Sequence, residues 1–236
     1  MLYMIGIGMN DETDITVKGL DRVRNSDYVY LEGYTSKLDV SISKLEEFYG
    51  KKIEVCKRDF IENGEEIISK AKSSNVAVLI IGDVFSATTH ISLFREAKEA
   101  SVSVEVVNNA SVLNAVGITG LELYKFGRVA SVPFIDSSVP YEVFLENSKL
   151  GLHSLFLLDL KPFEDKFMEC KEAVAYLVSK GMEDRMVVVC AKLGSKDYVV
   201  KYVKASEVES LGVYPQCLIV PGKMHFMEEE VLESYK

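Results

Sequence analysis

Tryptophan is absent from this 236-residue chain, and proline (five), cysteine (four) and histidine (three) are scarce. The histidines, His90, His153 and His225, are scattered and form no His-Glu-x-x-His run, so no metal cluster is expected. Cys56, Cys170, Cys190 and Cys217 lie far apart without a C-x-x-C pair, which points to buried free thiols rather than zinc ligands or disulfides. Basic residues are outnumbered, 27 against 36 acidic, giving a net charge of -9. Nonspecific nucleic-acid binding, which runs on neutralisation of phosphates by Lys and Arg, is therefore not expected. No apolar run approaches the ~20 residues of a membrane span. The opening Met1–Ile5 is too short and too uncharged for a signal peptide, so a cytoplasmic protein is expected. Also missing are the phosphate-cradling G-x-x-x-x-G-K-[ST] motif and the Gly-x-Ser-x-Gly nucleophile turn. Gly6-x-Gly8 begins a dinucleotide fingerprint, but the third glycine position is Asp11.

What the chain does have is an unbroken apolar stretch, Val76 to Ile81, running into Gly82-Asp83 and a small, hydroxyl-rich loop through His90. Such a run suits a strand buried on both faces of a parallel sheet. In open α/β sheets, ligands bind beyond the carboxyl ends of the strands. On pattern alone the Gly-Asp loop is either a ligand site or a turn with a helix cap, with Thr88 or Thr89 as the cap. The surrounding first half alternates strands (Leu2–Ile7, Tyr28–Leu31, Ile53–Cys56, Val102–Val107) with helices. The helices are expected near Ile15–Arg24, from the Ser43 capping box to Gly50, over Glu65–Lys72 and over Ile91–Ala100. This is the signature of a mostly parallel sheet.

The second half predicts a helix from Ser111 to about Leu123, a strand at Arg128–Phe134, a helix from Pro140 and a strand at His153–Leu160. A helix over Glu164–Ser179 follows, then strands at Met186–Ala191, Tyr198–Val203 and Cys217–Val220 and a terminal helix at Met227–Tyr235. Tyr198–Val203 alternates as an edge or antiparallel strand would. The expected fold is thus two α/β domains, residues 1–109 and 110–236, the first with a mostly parallel sheet and the second with a mixed one. A ligand cleft is expected between them, because domain boundaries are preferred ligand sites. Gly117 and Gly120 in the block 109–120 weaken the helix they interrupt, a cost that close backbone packing or a ligand would justify.

Gly82-Asp83-x-x-x-Ala87-Thr88-Thr89-His90 resembles the Gly-Asp-Pro-x-x-Ala-Thr-Thr-His loop of diphthine synthases. The block from Asn109 to Phe134 is very similar to that family's central block. Leu2–Met9, Asp14-Ile15-Thr16, Glu32-x-Tyr34-Thr35-Ser36, Leu152-His153, Asp159-Leu160-Lys161 and Pro221-Gly222-Lys223-x-His225 match as well. Three departures stand out. Val84 replaces the proline, the chain is shorter between Phe134 and Leu152, where relatives carry a tryptophan-containing segment, and it is cut down again after Lys161.

The resemblance implies a class III, tetrapyrrole-methylase-like methyltransferase with S-adenosylmethionine as cofactor and S-adenosylhomocysteine as product. Its acceptor would be the aminocarboxypropyl-modified histidine of translation elongation factor 2, on the way to diphthamide, and the protein would be a homodimer. The resemblance carries cofactor contacts onto Met9, Asp83, Ser86, Ser111 and Val112, and in the second domain onto Leu158, Leu193 and Gln216, the last where relatives often have histidine. Asp83 is expected as a polar anchor on the cofactor. No metal and no particular general base is implied, although His90 is within reach of the loop. Two other readings stay open: a class III methyltransferase acting on a tetrapyrrole or other small molecule, and a non-catalytic cofactor-binding scaffold on elongation factor 2.

Overall fold

The computed structural model describes residues 1–236 and divides into two units, Met1–Leu113 with Pro162–Glu164, and Asn114–Lys161 with Asp165–Lys236. In the first unit, strands β1 (Leu2–Gly6), β2 (Tyr28–Glu32), β3 (Glu54–Cys56), β4 (Val76–Ile80) and β5 (Val104–Val107) form one sheet in the order β3-β2-β4-β1-β5. Every pairing is parallel, with Ile5 opposite Leu79 on one side and Val107 on the other. Successive side chains of a strand point to opposite faces. Leu2, Met4, Val76, Val78 and Ile80 accordingly pack in one apolar cluster, and Tyr3, Ile5, Ala77 and Leu79 in another. A sheet covered on both faces needs continuous apolar strands, which is what the Val76 run supplies.

Helices α1 (Val17–Arg24), α2 (Ile42–Tyr49), α3 (Arg58–Asn63), α4 (Glu65–Ala71) and α5 (Ile91–Glu99) connect these strands. The Thr16 side chain caps α1 by accepting from Gly19 N–H, and Gly50 ends α2 at φ 72°. The α2 cap is Ser41, which accepts from Lys44 N–H at 3.3 Å; the helix begins a little before the expected Ser43. Neither Thr88 nor Thr89 caps α5. His90 holds that position, while the Thr88 hydroxyl donates to Val84 O at 2.7 Å. The proline-to-valine departure also has a packing role, since Val84 is fully buried in the core with Val78 and Ile80.

The second unit contains α6 (Val112–Ala115, crossing from the first), β6 (Ala130–Val132), α7 (Val139–Lys149), β7 (Ser154–Leu158), a small antiparallel pair β8 (Leu160–Lys161) and β9 (Lys166–Phe167), and α8 (Cys170–Ser179). Strands β10 (Met186–Ala191), β11 (Val199–Lys204) and β12 (Gln216–Val220) and helix α9 (Phe226–Glu233) complete it. Its main sheet runs β11-β10-β12-β7-β6, antiparallel except for β6 with β7, with β11 on the edge as the alternation of its side chains predicts.

Two helix expectations are corrected. Residues 111–123 hold one helical turn, α6, then 3-10 turns at Val116–Thr119 and Leu123–Lys125, separated by Gly120 at φ 82°. Gly120 packs so closely on α9 that a Cβ there would stand 2.4 Å from Val231 Cγ1. The Glu164–Ser179 helix starts at Cys170 instead. Asp165 in the left-handed region (φ 49°) turns the β8–β9 hairpin, and a capping box between Glu169 and Glu172 fixes the later start. All four cysteines are free and buried. No helix is long and apolar enough to cross a membrane.

Candidate functional site

The carboxyl ends of β4, β1 and β5 are neighbours in the first sheet, and the segments leaving them carry Asp83 and Ser86, Met9, and Ser111 with Val112. Gly8 and Gly82 form an isolated antiparallel bridge, with Gly82 N–H donating to Gly8 O at 2.7 Å and Gly8 N–H to Gly82 O at 3.3 Å. Both glycines adopt left-handed φ, 82° and 84°. The segments are nearly touching: a Cβ on Gly6 would stand 2.7 Å from Gly82 O and 2.9 Å from Asn109 Cβ.

Asp83 ties two of these segments together. Its Oδ1 accepts from Phe85 N–H (3.1 Å) and the Ser86 hydroxyl (3.0 Å), closing its own loop. Its Oδ2 accepts from Asn108 Nδ2 (3.0 Å) and Asn109 N–H (3.1 Å), just after β5. Burial works against the charge, but these four donors outweigh it and hold the carboxyl below the usual range. With about four acceptor sites on a carboxylate, the side chain is saturated by the protein. The arrangement makes Asp83 the organiser of the loop.

Met9 is half-buried, and its N–H donates to Asp14 Oδ2 at 3.0 Å, as does Asn10 N–H at 2.8 Å. Ser111 is buried and its Oγ accepts from Leu113 N–H (3.3 Å), shaping the turn into α6; Val112, the first residue of α6, is half-buried. Glu32, at the end of β2, accepts from Ile81 N–H (3.3 Å), Thr35 N–H (3.2 Å) and the Thr35 hydroxyl. It is fully buried, and that burial pushes its carboxyl up to about 7 against those donors. His90 is buried as well, with Nε2 3.3 Å from the Tyr34 hydroxyl. Burial pushes its pKa down to about 4, so the ring is neutral at ordinary pH and packed away from solvent.

In the second unit, Leu158 ends β7 within the apolar core, and Leu193 is buried beyond β10, directly after Lys192 at φ 52°. Gln216 opens β12. Its Oε1 accepts from Cys170 N–H (2.8 Å), satisfying the start of α8, and its Nε2 donates to Val213 O (2.9 Å). The amide is thus engaged by its own unit. No group of three or more His, Cys, Asp or Glu side chains is arranged to hold a metal ion. The His-containing motifs of the second half meet in one network. His153 Nδ1 accepts from Gly222 N–H and Nε2 faces Glu228 Oε1, each at 2.9 Å, while His225 caps α9.

Two α/β units, one built on a parallel sheet with a glycine-rich rim of strand ends, define the class. The family described as Tetrapyrrole (Corrin/Porphyrin) Methylases matches residues 1–209. A diphthine methyl ester synthase of Kluyveromyces lactis is 51% identical over 100% of this chain and 90% of its own length. A diphthine synthase of Methanocaldococcus jannaschii is 39% identical over 99% of this chain and 98% of its own. A crystal structure of diphthine synthase superposes with a TM-score of 0.94 at 37% identity, covering 99% of this chain and 95% of that one. The chain belongs to the diphthine synthases, within the tetrapyrrole methylase family. A methyl donor is implied by both names.

Proposed function

We propose that this chain transfers methyl groups from S-adenosylmethionine to the aminocarboxypropyl group on one histidine of translation elongation factor 2, a step of diphthamide biosynthesis. The observation that carries the reading is the full-length likeness to diphthine synthases of a eukaryote and an archaeon, at 51% and 39% identity. A tetrapyrrole acceptor is disfavoured, because the likeness to diphthine synthases runs through both units, including the Asn109–Phe134 block. By the same reading the protein works in the cytoplasm, beside its protein substrate, and as a homodimer.

The residues at the rim suit such a donor. Met9 and Val112 offer half-buried apolar surface, and Gly82, Ser86, Ala87 and Ser111 keep the strand ends small. Asp83, with both oxygens taken up by four protein donors, is a fixed part of that rim. Leu158, Leu193 and Gln216 are proposed as further donor contacts on the strength of the resemblance.

When bound, the donor supplies an electrophilic methyl group on a sulfonium whose departure needs no protonation. The amine, its proton lost to solvent, would form the new nitrogen–carbon bond as the carbon–sulfur bond breaks, the electron pair of that broken bond staying on sulfur. Rate then comes from alignment of donor and acceptor, for which effective molarities reach ~10⁵ M or more. Rigid rim loops, clamped by Asp83 and the Gly8–Gly82 bridge, serve that alignment. The test is incubation with S-adenosylmethionine and elongation factor 2 bearing the aminocarboxypropyl histidine, read by intact-peptide mass. Stepwise gains of whole methyl groups are expected, with one S-adenosylhomocysteine formed per methyl; an unchanged mass overturns the assignment.

A further inference from the structure

We infer that Asn109 is the positioning residue of the donor site, setting how far apart the segments after β1, β4 and β5 stand. The inference rests on the methyl-donor reading above and adds a residue to it.

Asn109 lies two positions beyond β5. Its Nδ2 donates to Gly6 O at 2.9 Å and to Asp14 O at 3.0 Å, both on the β1 side. Its Oδ1 accepts from Ala110 N–H at 2.7 Å. Its own N–H donates to Asp83 Oδ2 at 3.1 Å, on the β4 side. One residue therefore bonds to all three segments. The amide can sit in only one orientation. Turned over, it would set its NH₂ against an N–H and its oxygen against two carbonyls.

The clamp reaches the proposed donor contacts through a short chain. Asp14, whose carbonyl Asn109 holds, accepts from Met9 N–H with its own carboxylate at 3.0 Å. Asp83, which Asn109 also holds, binds the Ser86 hydroxyl at 3.0 Å. There is no slack to absorb a change, because Gly6 already lies against Asn109 Cβ and Gly82 O. Asn109 does not itself need to touch the donor. It fixes the spacing of the residues that do.

Asn109→Asp tests this at constant shape. Ionised, the new carboxylate faces two carbonyl oxygens; protonated, it can donate to one of them and restore half of the clamp. The titratable groups around position 109 are Asp14 on the β1 side and Asp83 on the β4 side, both acids that favour the protonated form of the new carboxyl. Its neighbours in sequence, Asn108, Ala110 and Ser111, carry none.

Calorimetric titration with S-adenosylhomocysteine is expected to show roughly tenfold or greater weakening for Asn109→Asp at about pH 8, the equivalent of about one lost hydrogen bond. Affinity should recover towards wild type as the pH is lowered to about 5, nearer the carboxyl range. Asn109→Ser, which removes both donors without adding charge, should weaken binding at both pH values. A purely structural role would lower the melting temperature of both variants yet leave the affinity of the folded protein, and its pH profile, as in wild type. That outcome overturns the inference while the methyl-donor reading stands. Absence of binding by the wild-type protein overturns the reading itself.

Discussion

His153 Nε2 stands 2.9 Å from Glu228 Oε1, a contact between residues 75 positions apart that joins the strand-β7 entry to helix α9. The partner on the other ring nitrogen, Gly222 N–H at 2.9 Å, assigns the tautomer: Nδ1 accepts and Nε2–H donates to the carboxylate. Glu228 also accepts from Glu122 N–H (2.9 Å), His225 N–H (2.7 Å) and the Lys125 ammonium. This one buried side chain ties α9 to the 3-10 turn at Leu123–Lys125, to β7 and to its own cap.

Glu228→Gln should therefore destabilise the protein out of proportion to its size. The amide nitrogen it introduces cannot accept, so at least one of the backbone N–H groups or the His153 donor loses its partner, and Lys125 loses its counter-charge. Leaving buried polar groups unpaired typically costs about 1–3 kcal/mol each, more next to a charge. A fall in urea-unfolding free energy of about 3 kcal/mol is expected. A wild-type unfolding curve would mean that the network contributes little.

Acid should unfold the second unit through the same pair. Burial opposes charge on Glu228, but the backbone N–H groups, Lys125 and His153 outweigh it and hold the carboxyl at about 2, against an ordinary 4.5. Burial likewise lowers the His153 pKa from its ordinary 6.5, despite the neighbouring carboxylate. In both cases the unfolded chain takes up protons that the folded one refuses. The stability they supply is thus complete above about pH 6.5, falls first as unfolded His153 protonates, and falls further from about 4.5 towards 2. Chemical denaturation across that range should show this slope, and Glu228→Gln should flatten its lower part. Equal slopes in both proteins would contradict the linkage.

Gly6→Ala tests the rim. The added methyl would press on Gly82 O and Asn109 Cβ at 2.7 and 2.9 Å, parting the β1 and β4 ends. Overpacking of this kind costs about 1–3 kcal/mol. Weaker binding of S-adenosylhomocysteine is expected, beyond tenfold if most of that strain is relieved by parting the loops that hold it. A variant that is destabilised yet binds as wild type would separate the rim from the ligand.

Much of the first unit could be read from the chain, because a sheet covered on both faces demands strands as plainly apolar as Val76–Ile80. The second unit was harder where local signals compete. Glu164 to Phe167 reads as the first turn of a helix, yet Asp165 in a left-handed turn makes it part of a hairpin with Leu160 and Lys161. Gly117 and Gly120 were visible as helix-weakening residues, but the reason for Gly120, its packing on Val231, lies over a hundred positions away. Asp83 stood out at its strand end, but the four donors on its two oxygens, spread over two loops, could not be read from the chain. Asn109 carried only a weak signal, a pair of amides directly after a half-buried strand, since its partners Gly6 and Asp14 are distant in sequence. Gln216, marked by resemblance alone, turned out to satisfy the start of α8.

The central claim is that the strand ends carrying Met9, Asp83 and Ser111 hold a methyl donor. Calorimetric titration of S-adenosylhomocysteine into the wild-type protein tests it most directly. The account predicts saturable binding of one ligand per chain at micromolar strength, with binding weakened in Gly6→Ala. No saturable heat in the wild-type protein would contradict it.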